Sequence, residues 1–417
     1  MSSILTNNGA MVALQTLNMI NKNLAKTQDE ISTGKQIATA KDNSALWAIS
    51  QVMESDVAGF DAIQGSLALG ESTVAVGRSA AEEVTELLDE IKAKVVSAQE
   101  ENVDRDKLQV DLASLRDQIT AIVSAAQFNG QNLLSNTSAT VGEGSIEVLA
   151  SLDRNESGSV TTTEITVEKQ DLGQTDSAAG ATATTDYTVT AAGTPAANGG
   201  TGTYTLGFNT GVTEVAAQAS FELDLSSFDT TNNTSTATVQ YVAREGDTLA
   251  DVAAALSAAA NYQLELEGRD GETVLSASGN VITVTNNDDT AVGAALAAGD
   301  FTLTDDGTIG GGLELLGDLD VSTEAGAAAA LSSIEYLSQV AIEAAAAFGT
   351  SETRIDIQMD FIQKLSDSLT SGIGALVDAN MEEASARLQA LQVQQQLGIQ
   401  SLSIANQAPQ NILALFR

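Results

Sequence analysis

The stretch that decides the fold lies near the start of the chain, at residues 10–31, AMVALQTLNMINKNLAKTQDEI. Mostly apolar residues recur along it in alternating steps of three and four: Ala10, Ala13, Leu17, Ile20, Leu24, Thr27 and Ile31. This spacing predicts an amphipathic helix with a single narrow apolar stripe. A stripe of that width is typical of a helix that packs against a second helix.

A matching heptad pattern occurs near the other end, in MEEASARLQALQVQQQLGIQSLSIA, residues 381–405. Its members are Met381, Ala384, Leu388, Leu391, Gln395, Gly398, Leu402 and Ala405. Because an isolated helix is marginal in water, the economical arrangement pairs the two terminal helices with each other and then with neighbouring copies. Periodicity alone fits a bundle within one chain equally well. The polar members Thr27 and Gln395, which cost stability but specify register, agree with either arrangement.

Further helices are predicted on both sides of the middle of the chain. Ser79 and Glu82 have the spacing of a capping box, which predicts a helix start. The dipeptide Asn129-Gly130 predicts the end of a later helix. Beyond residue 320 the helical periodicity returns, and Gly349 predicts a break between two helices there.

The middle of the chain has a different composition. Residues 145–169 alternate with period two and predict a β-hairpin or a short ribbon. From 171 to 310 the chain is rich in Thr, Ala, Gly, Asn and Asp, and the run 307–312 predicts a linker. A helix is predicted from Thr248 to about Ala260. Strands are predicted at Tyr187–Val189, Tyr204–Phe208, Phe221–Leu225, Val239–Val242 and Val281–Val284. The middle therefore reads as a separate, mainly β insertion.

The charge balance limits the partners that the chain can bind. The 417 residues carry 18 Lys+Arg against 56 Asp+Glu, a formal net charge of −38. A chain this acidic repels phosphate backbones and anionic membrane surfaces, so we expect no nucleic-acid partner. No apolar run approaches the ~20 residues that span a bilayer, so we expect no membrane insertion. Residues 1–21 lack the basic and apolar regions of a cleavable secretion signal.

The residue types also restrict the chemistry. The chain has no His and no Cys, which excludes His/Cys zinc sites, Ser-His-Asp triads and Cys-His nucleophiles. The acidic pairs lack EF-hand spacing, and the glycine run lacks the Lys of a P-loop. We therefore expect no catalytic residue, no cofactor and no metal site, and the chain is not expected to be an enzyme.

Three motifs follow one another along the chain: STGKQIATAKDNSA at residues 32–45, QFNG at 127–130 followed by Leu133-Leu134, and QQQ at 394–396 followed by ANQAPQNILALFR at 405–417. Taken in this order, they resemble motifs of the bacterial flagellin family. Trp47 lies in a context similar to that of alphaproteobacterial flagellins. The resemblance covers roughly residues 1–170 and 310–417.

The resemblance implies a mainly α fold with β structure, arranged as concentric layers. Residues 1–45 and 377–417 would form an inner terminal coiled coil, and 46–170 with 311–376 an outer helical core with a β-hairpin. Residues 171–310 would form a variable, surface-exposed β-rich insert. The implied function is a structural subunit that polymerises into the flagellar filament for swimming motility.

The resemblance also implies a location and partners. The subunit would be exported unfolded through the flagellar type III apparatus, without a cleavable signal, and would be extracellular. Its partners would be other copies of itself, an export chaperone on the C-terminal segment, and hook-associated and cap proteins. The residues expected to pack in the coiled coil between subunits are Leu17, Ile20, Leu24, Ile31, Leu388, Leu391, Leu402, Ile412, Leu413, Leu415 and Phe416. Two alternatives remain: a hook–filament junction protein, and an adhesin that acts through the surface insert.

Overall fold

The protein is described by a computed structural model. It describes residues 7–155, 159–195, 199–228, 235, 237–269, 272–287 and 296–415, with the side chains of 227–228 and 408–415 left out. The helices are α1 (Asn8–Thr33), α2 (Ser44–Ala98), α3 (Arg105–Ala125), α4 (Leu249–Leu266), α5 (Glu314–Asp318), α6 (Glu324–Val377) and α7 (Met381–Leu415). The strands are β1 (Gln127–Phe128), β2 (Gln131–Asn132), β3 (Ser145–Arg154), β4 (Val160–Glu168), β5 (Thr182–Ala183), β6 (Tyr187–Ala192), β7 (Gly200–Phe208), β8 (Ser220–Asp224), β9 (Thr238–Val242), β10 (Thr273–Ser278), β11 (Val281–Asn286) and β12 (Phe301–Asp305).

Two of the predicted helix boundaries are wrong, because α2 and α6 are continuous over 55 and 54 residues. Ser79 and Glu82 lie inside α2, where Glu82 accepts a 2.7 Å hydrogen bond from Arg78 Nη1. Gly349 lies inside α6, next to the fully buried Phe348. A glycine in a helix costs only about 1 kcal/mol relative to alanine. The apolar burial along both helices outweighs that cost.

The end of α3 also differs from its prediction. The helix ends at Ala125, and Asn129-Gly130 instead forms the turn of the short hairpin β1–β2. Both turn residues have positive φ, 50° and 81°. Such angles favour Asn and Gly in two-residue hairpin turns. The prediction of a turn at Asn129-Gly130 is therefore confirmed, but this turn closes the β1–β2 hairpin and does not end α3.

The chain divides into two compact units, Met1–Gln64 with Ser151–Thr161 and Asp360–Arg417, and Gly65–Ala150 with Thr162–Met359. In the first unit α1 and α7 pair along their lengths. The segment after α1 is tied to the end of α6 by backbone hydrogen bonds. Gln36 donates its N–H to the Val377 carbonyl at 2.7 Å, and Ala379 donates to the Gly34 carbonyl at 2.9 Å.

In the second unit, residues 65–98 of α2 run antiparallel to residues 324–359 of α6. Arg78 Nε lies 2.5 Å from Glu352 Oε2, and Lys92 pairs with Glu335 further along. Strand β3 packs on α2 so closely that a Cβ on Gly70 would stand 2.6 Å from Val148 Cγ1. The apolar core between these elements includes Leu67, Val74, Val84, Leu88, Ile91, Val95, Ile334 and Leu337.

The middle of the chain, also in the second unit, contains two four-stranded antiparallel sheets. Their strand orders are β10-β11-β7-β6 and β5-β12-β8-β9. All five predicted strands are present, and β3 and β4 form the predicted hairpin. Helix α4 starts after Thr248 as predicted, with a capping box to Asp251, but extends to Leu266. Side chains of both sheets and α4 share one core, which includes Tyr204, Phe221, Leu256 and Ile282. The mainly α fold with a β-rich insert is confirmed.

The predicted linker is instead a packed crossing of two backbone segments. A Cβ on Gly311 would stand 2.1 Å from the carbonyl oxygen of Gly173, and one on Gly312 would stand 2.0 Å from that of Asp171. Leu313 N–H also donates to the Gly173 carbonyl at 2.8 Å. The glycines are required here for close backbone approach, so this run does not act as a flexible spacer. Among the described residues, no helix is both long and apolar enough to cross a membrane.

Candidate assembly interface

The two terminal helices bury the stripes that the sequence indicates. Ile20 and Thr27 of α1, and Ala384 and Leu391 of α7, are buried. The remaining stripe members are half-buried: Ala10, Ala13, Leu17, Leu24, Ile31, Leu388, Gln395, Gly398, Leu402 and Ala405. Met381, the first residue of α7, is an exception and is exposed. We call the contact between these two stripes the seam.

Polar contacts along the seam give its direction and register. Asn7 Nδ2 donates to the Ala405 carbonyl at 2.8 Å, and Gln395 Nε2 donates to Asn21 Oδ1 at 2.8 Å. Further along, Arg387 Nη1 lies 3.9 Å from Glu30 Oε2. Residue numbers rise in α1 as they fall in α7, so the two helices are antiparallel.

Gly398 lets the two helices approach closely. A Cβ at this position would lie 3.3 Å from Leu17 Cδ1 and 3.8 Å from Ile20 Cδ1. The first distance is tighter than an ordinary carbon–carbon contact. A side chain larger than a methyl group at position 398 would therefore push the helices apart.

A buried acid lies in the seam, and sequence reasoning missed it. Glu30 is only 7% exposed, and it lies between Lys26 Nζ at 3.8 Å and Arg387 Nη1 at 3.9 Å. The spacing of Lys26 and Glu30 as i and i+4 was the available signal. It could not indicate that α7 would cover the carboxylate and supply a second cation.

The outward sides of the pair carry large apolar side chains, which sequence reasoning also missed. Those of α1 are Met11 (62% exposed), Val12 (63%), Leu14 (51%) and Met19 (58%). Those of α7 are Val393 (56%), Leu397 (56%), Ile399 (54%) and Ile404 (69%). We call these eight residues the outward set. Their signal in the sequence was apolar residues beyond the stripe, and a helix hydrophobic on more than one side is usually covered on more than one side.

The predicted packing residues fall into two groups. Those in the seam are Leu17, Ile20, Leu24, Ile31, Leu388, Leu391 and Leu402. Ile412, Leu413 and Leu415 belong to the part of α7 whose side chains are not described, and Phe416 lies outside the described residues. Across the described part of the chain, no group of three or more acidic side chains could hold a metal ion directly.

The first unit thus contains an antiparallel pair of terminal helices that share one seam and leave the apolar outward set exposed. Comparison with known proteins gives the class of protein to which this pair belongs. Residues 4–139 match the bacterial flagellin N-terminal helical region, and residues 331–416 match the bacterial flagellin C-terminal helical region.

Relatives that match the chain over its full length belong to the same family. The chain is 36% identical to flagellin A of Rhizobium meliloti over 428 residues, covering 100% of both chains. It is 28% identical over 420 residues to flagellin FljM of Caulobacter vibrioides, covering 100% of this chain and 99% of the other. A solved structure of FliC from Burkholderia pseudomallei is 16% identical, with a TM-score of 0.30, over 68% of this chain and 99% of that one. The family assignment rests on the sequence matches and not on that superposition.

The chain belongs to the bacterial flagellin family and is a subunit of the flagellar filament. The resemblance to alphaproteobacterial flagellins is confirmed by the Rhizobium relatives. The members of this family are structural proteins. The full-length match to flagellins favours the filament subunit over the hook–filament junction protein.

Proposed function

We propose that the terminal pair, α1 with α7, is the part of the subunit that packs against other copies, and that it forms the inner layer of the filament. The main support for this proposal is the exposure of the outward set. Its eight side chains are between 51% and 69% exposed in the single chain. Burying apolar surface contributes about 25 cal/mol per Å². A second copy of the same chain is the occupant that a filament subunit meets on every side.

The seam residues have a different part in this proposal. Leu17, Ile20 and Leu391 face the partner helix of their own chain, so they hold the pair together. A closed pair leaves the outward set exposed on both helices. The predicted packing residues would then act between subunits by maintaining the pair, and the side chains at 412–416 would extend the same contact.

The proposal assigns the remaining segments to outer layers. Residues 46–170 with 311–376 form the outer core, and 171–310 form the surface insert. The insert carries 2 Lys+Arg and 19 Asp+Glu, a net charge of 2 − 19 = −17. A segment this charged is costly to bury, which supports a position at the filament surface.

Family membership supports the finer details of partners and location. We propose that the chain is exported unfolded through the flagellar type III apparatus, without a cleaved signal, to an extracellular filament. An export chaperone would cover the C-terminal segment before assembly, since an unpaired α7 exposes both its seam and its part of the outward set. Hook-associated and cap proteins would contact the filament at its two ends.

The test is a variant that changes the outward set and leaves the seam intact. Met11→Ser, Leu14→Ser and Met19→Ser together replace three exposed apolar side chains of α1. Each is worth about 1.5–3 kcal/mol if fully buried, so seeded elongation should slow by at least about tenfold. Thermal unfolding of the monomer should change little. Elongation is followed by pelleting and electron microscopy after addition of sheared filament seeds.

The matched control is Val274→Ser, an exposed apolar residue on β10 of the insert, 37% exposed. It should elongate at the parental rate. Parental elongation by the folded triple variant would show that the outward set is not an assembly surface.

A further inference from the structure

A cavity of about 630 Å³ lies in the second unit, between α4, strand β9 and the segment 311–318, which contains α5. Its volume falls within the range of about 300–1,000 Å³ that is typical of sites for small organic ligands. Ala255 and Ala259 line it from successive turns of α4, and their short side chains leave this face of the helix open. The cavity therefore has room for an organic molecule.

Tyrosine side chains are concentrated around this cavity. The chain has 5 tyrosines, and three of them, Tyr241 of β9, Tyr262 of α4 and Tyr336 of α6, line it. The Tyr262 hydroxyl donates to the Asp318 carbonyl at 2.6 Å, which fixes this side chain between α4 and α5. The ring of Tyr241 already contacts a cation, since Arg244 Cζ lies 5.4 Å from its centre. Aromatic faces attract cations because the ring quadrupole is negative above and below its plane.

Two carboxylates on the walls, those of Glu314 and Asp318, form no ion pair within the described part of the chain. Arg244 is the one cationic residue in the lining, and its ion pair is with Asp247, outside the lining, at 3.9 Å. Ser177 donates its N–H and its hydroxyl to Glu314 Oε1 at 2.6 and 2.8 Å. Glu314 Oε2 accepts no hydrogen bond from the described residues and remains accessible.

The surroundings of these two acids have too little positive charge. Burial raises the pKa of the Glu314 carboxyl, and the guanidinium of Arg244 opposes this shift without reversing it. Partial burial and the nearby Asp176 raise the pKa of the Asp318 carboxyl, against the effect of Arg116. With all five groups ionised, two cations face three anions, a net charge of 2 − 3 = −1. A further cation would favour the ionised form of both carboxyls.

The hydrogen-bonding groups that remain free on the walls are acceptors. The hydroxyl of the half-buried Tyr336 has no partner in the described part of the chain, so it can accept or donate. Two donors of the lining are already used. Arg244 Nε and Nη2 donate to the Gly310 carbonyl at 3.3 and 3.1 Å, and Gln240 Nε2 donates to the Ser177 carbonyl at 2.9 Å. The cavity therefore suits a ligand that brings positive charge or donors.

We propose that this cavity binds a small organic ammonium cation, such as choline, with its charged group between the tyrosine rings and the carboxylates of Glu314 and Asp318. Aromatic faces and carboxylates both attract an ammonium group. The carbon substituents of such a cation can pack on Ala255 and Ala259. A neutral ligand would leave the carboxylates uncompensated, and an anion would be repelled by them.

The experiment is an NMR titration of the full chain in monomeric form with isotope-labelled tyrosine rings. Because the formal charge of −38 attracts cations generally, choline chloride is compared with NaCl at equal ionic strength. The ring signals of Tyr262 and Tyr336 should shift saturably. Those of Tyr187 and Tyr204, which lie in the core shared by the two sheets and α4, should stay in place.

A matched probe separates recognition of charge from recognition of shape. It is the neutral alcohol in which a carbon atom replaces the nitrogen of choline. Cation–π attraction contributes about 2 kcal/mol where the groups are desolvated, so this alcohol should bind at least about tenfold more weakly than choline. Equal affinity for the two compounds would overturn the proposal.

Variants test the carboxylates and a ring separately. Glu314→Gln with Asp318→Asn should weaken choline binding by about tenfold or more and leave the affinity for the neutral alcohol unchanged. The control is Glu86→Gln with Asp356→Asn, which removes the same charge from exposed positions outside the lining. Tyr336→Leu should weaken choline binding, whereas Tyr336→Phe, which keeps the aromatic face, should bind as the parent does.

Three other results would also overturn the proposal: no saturable shift with choline, equal shifts of all the tyrosine signals, and equal choline binding by the carboxylate variant and its control. Equal shifts would show only a counterion atmosphere around an acidic chain. The measurement uses monomer, so failure of the assembly proposal would not affect its outcome.

Discussion

Gln395 of α7 donates a 2.8 Å hydrogen bond from Nε2 to Oδ1 of Asn21 in α1, across 374 residues of sequence. Gln395 is a half-buried polar member of an otherwise mostly apolar stripe, and its hydrogen bond to the exposed Asn21 lies at the edge of the seam. A slip of one heptad would separate this pair and also move Arg387 away from Glu30. The polar contacts therefore specify one antiparallel register for the terminal helices.

The seam should tolerate little extra volume at Gly398. Gly398→Leu forces side-chain atoms into Leu17 and Ile20, and overpacking of this kind costs about 1–3 kcal/mol. We expect faster hydrogen exchange in α1 and α7 and slower seeded elongation. Gly398→Ala is the matched control, because the gain of helix propensity, about 1 kcal/mol, opposes the single tight contact at 3.3 Å. Equal exchange rates in the Leu variant and the parent would contradict the seam geometry.

The contact between α2 and β3 can be tested by complementary substitutions. A Cβ on Gly70 would overlap Val148, with both Cγ atoms within 2.7 Å. We expect Gly70→Ala to lower the free energy of unfolding by about 1–3 kcal/mol, measured by urea denaturation. Val148→Ala combined with Gly70→Ala should recover part of the loss, because the shortened side chain leaves room for the new methyl group. Additive losses in the double variant would show that the two residues do not share this space.

Glu314 should make the free energy of unfolding depend on pH. Burial raises the pKa of its carboxyl above 4.5, although the N–H and hydroxyl of Ser177 donate to Oε1 at 2.6 and 2.8 Å and oppose the shift. The stabilising contribution of a group with a raised pKa is complete below its unfolded pKa and is lost as the pH rises through the folded pKa. Gln cannot ionise. As the pH rises from the unfolded pKa through the folded pKa of Glu314, the free energy of unfolding of Glu314→Gln should therefore increase relative to that of the parent. A difference independent of pH, from chemical denaturation at several pH values, would contradict this.

Assembly should require salt. The insert has a net charge of −17, and the rest of the chain contributes 16 − 37 = −21 of the total of −38. Association brings these like charges together, and raising NaCl from about 0.01 M to about 0.15 M shortens the Debye length from about 30 Å to about 8 Å. Seeded elongation, followed by light scattering, should therefore speed up over this range. Elongation equally fast at both concentrations would exclude charge repulsion as a barrier to assembly.

Much of the fold follows from local sequence patterns. The three-and-four spacing of Leu17, Ile20 and Leu24 predicts the face of α1 that the structure buries, and the heptad of α7 does the same. Period-two alternation and turn residues locate the strands of the insert, and Thr248 locates the start of α4. These predictions succeed because periodicity reports which side of an element is buried, whatever covers it. Net charge and the absence of His and Cys also follow from the sequence alone.

Only the tertiary structure decides which long-range contacts outweigh local preferences. Gly349 looks like a helix break, yet α6 continues through it because burial on either side exceeds a propensity cost of about 1 kcal/mol. The composition of the run 307–312 predicts a linker. In the structure, however, Gly311 packs against the backbone of Gly173, which belongs to a segment more than a hundred residues away in the sequence. Glu30 likewise gains its second cation, Arg387, from a helix distant in the chain. Local patterns carry no information on such partners, because burial and charge compensation depend on which segments meet in space.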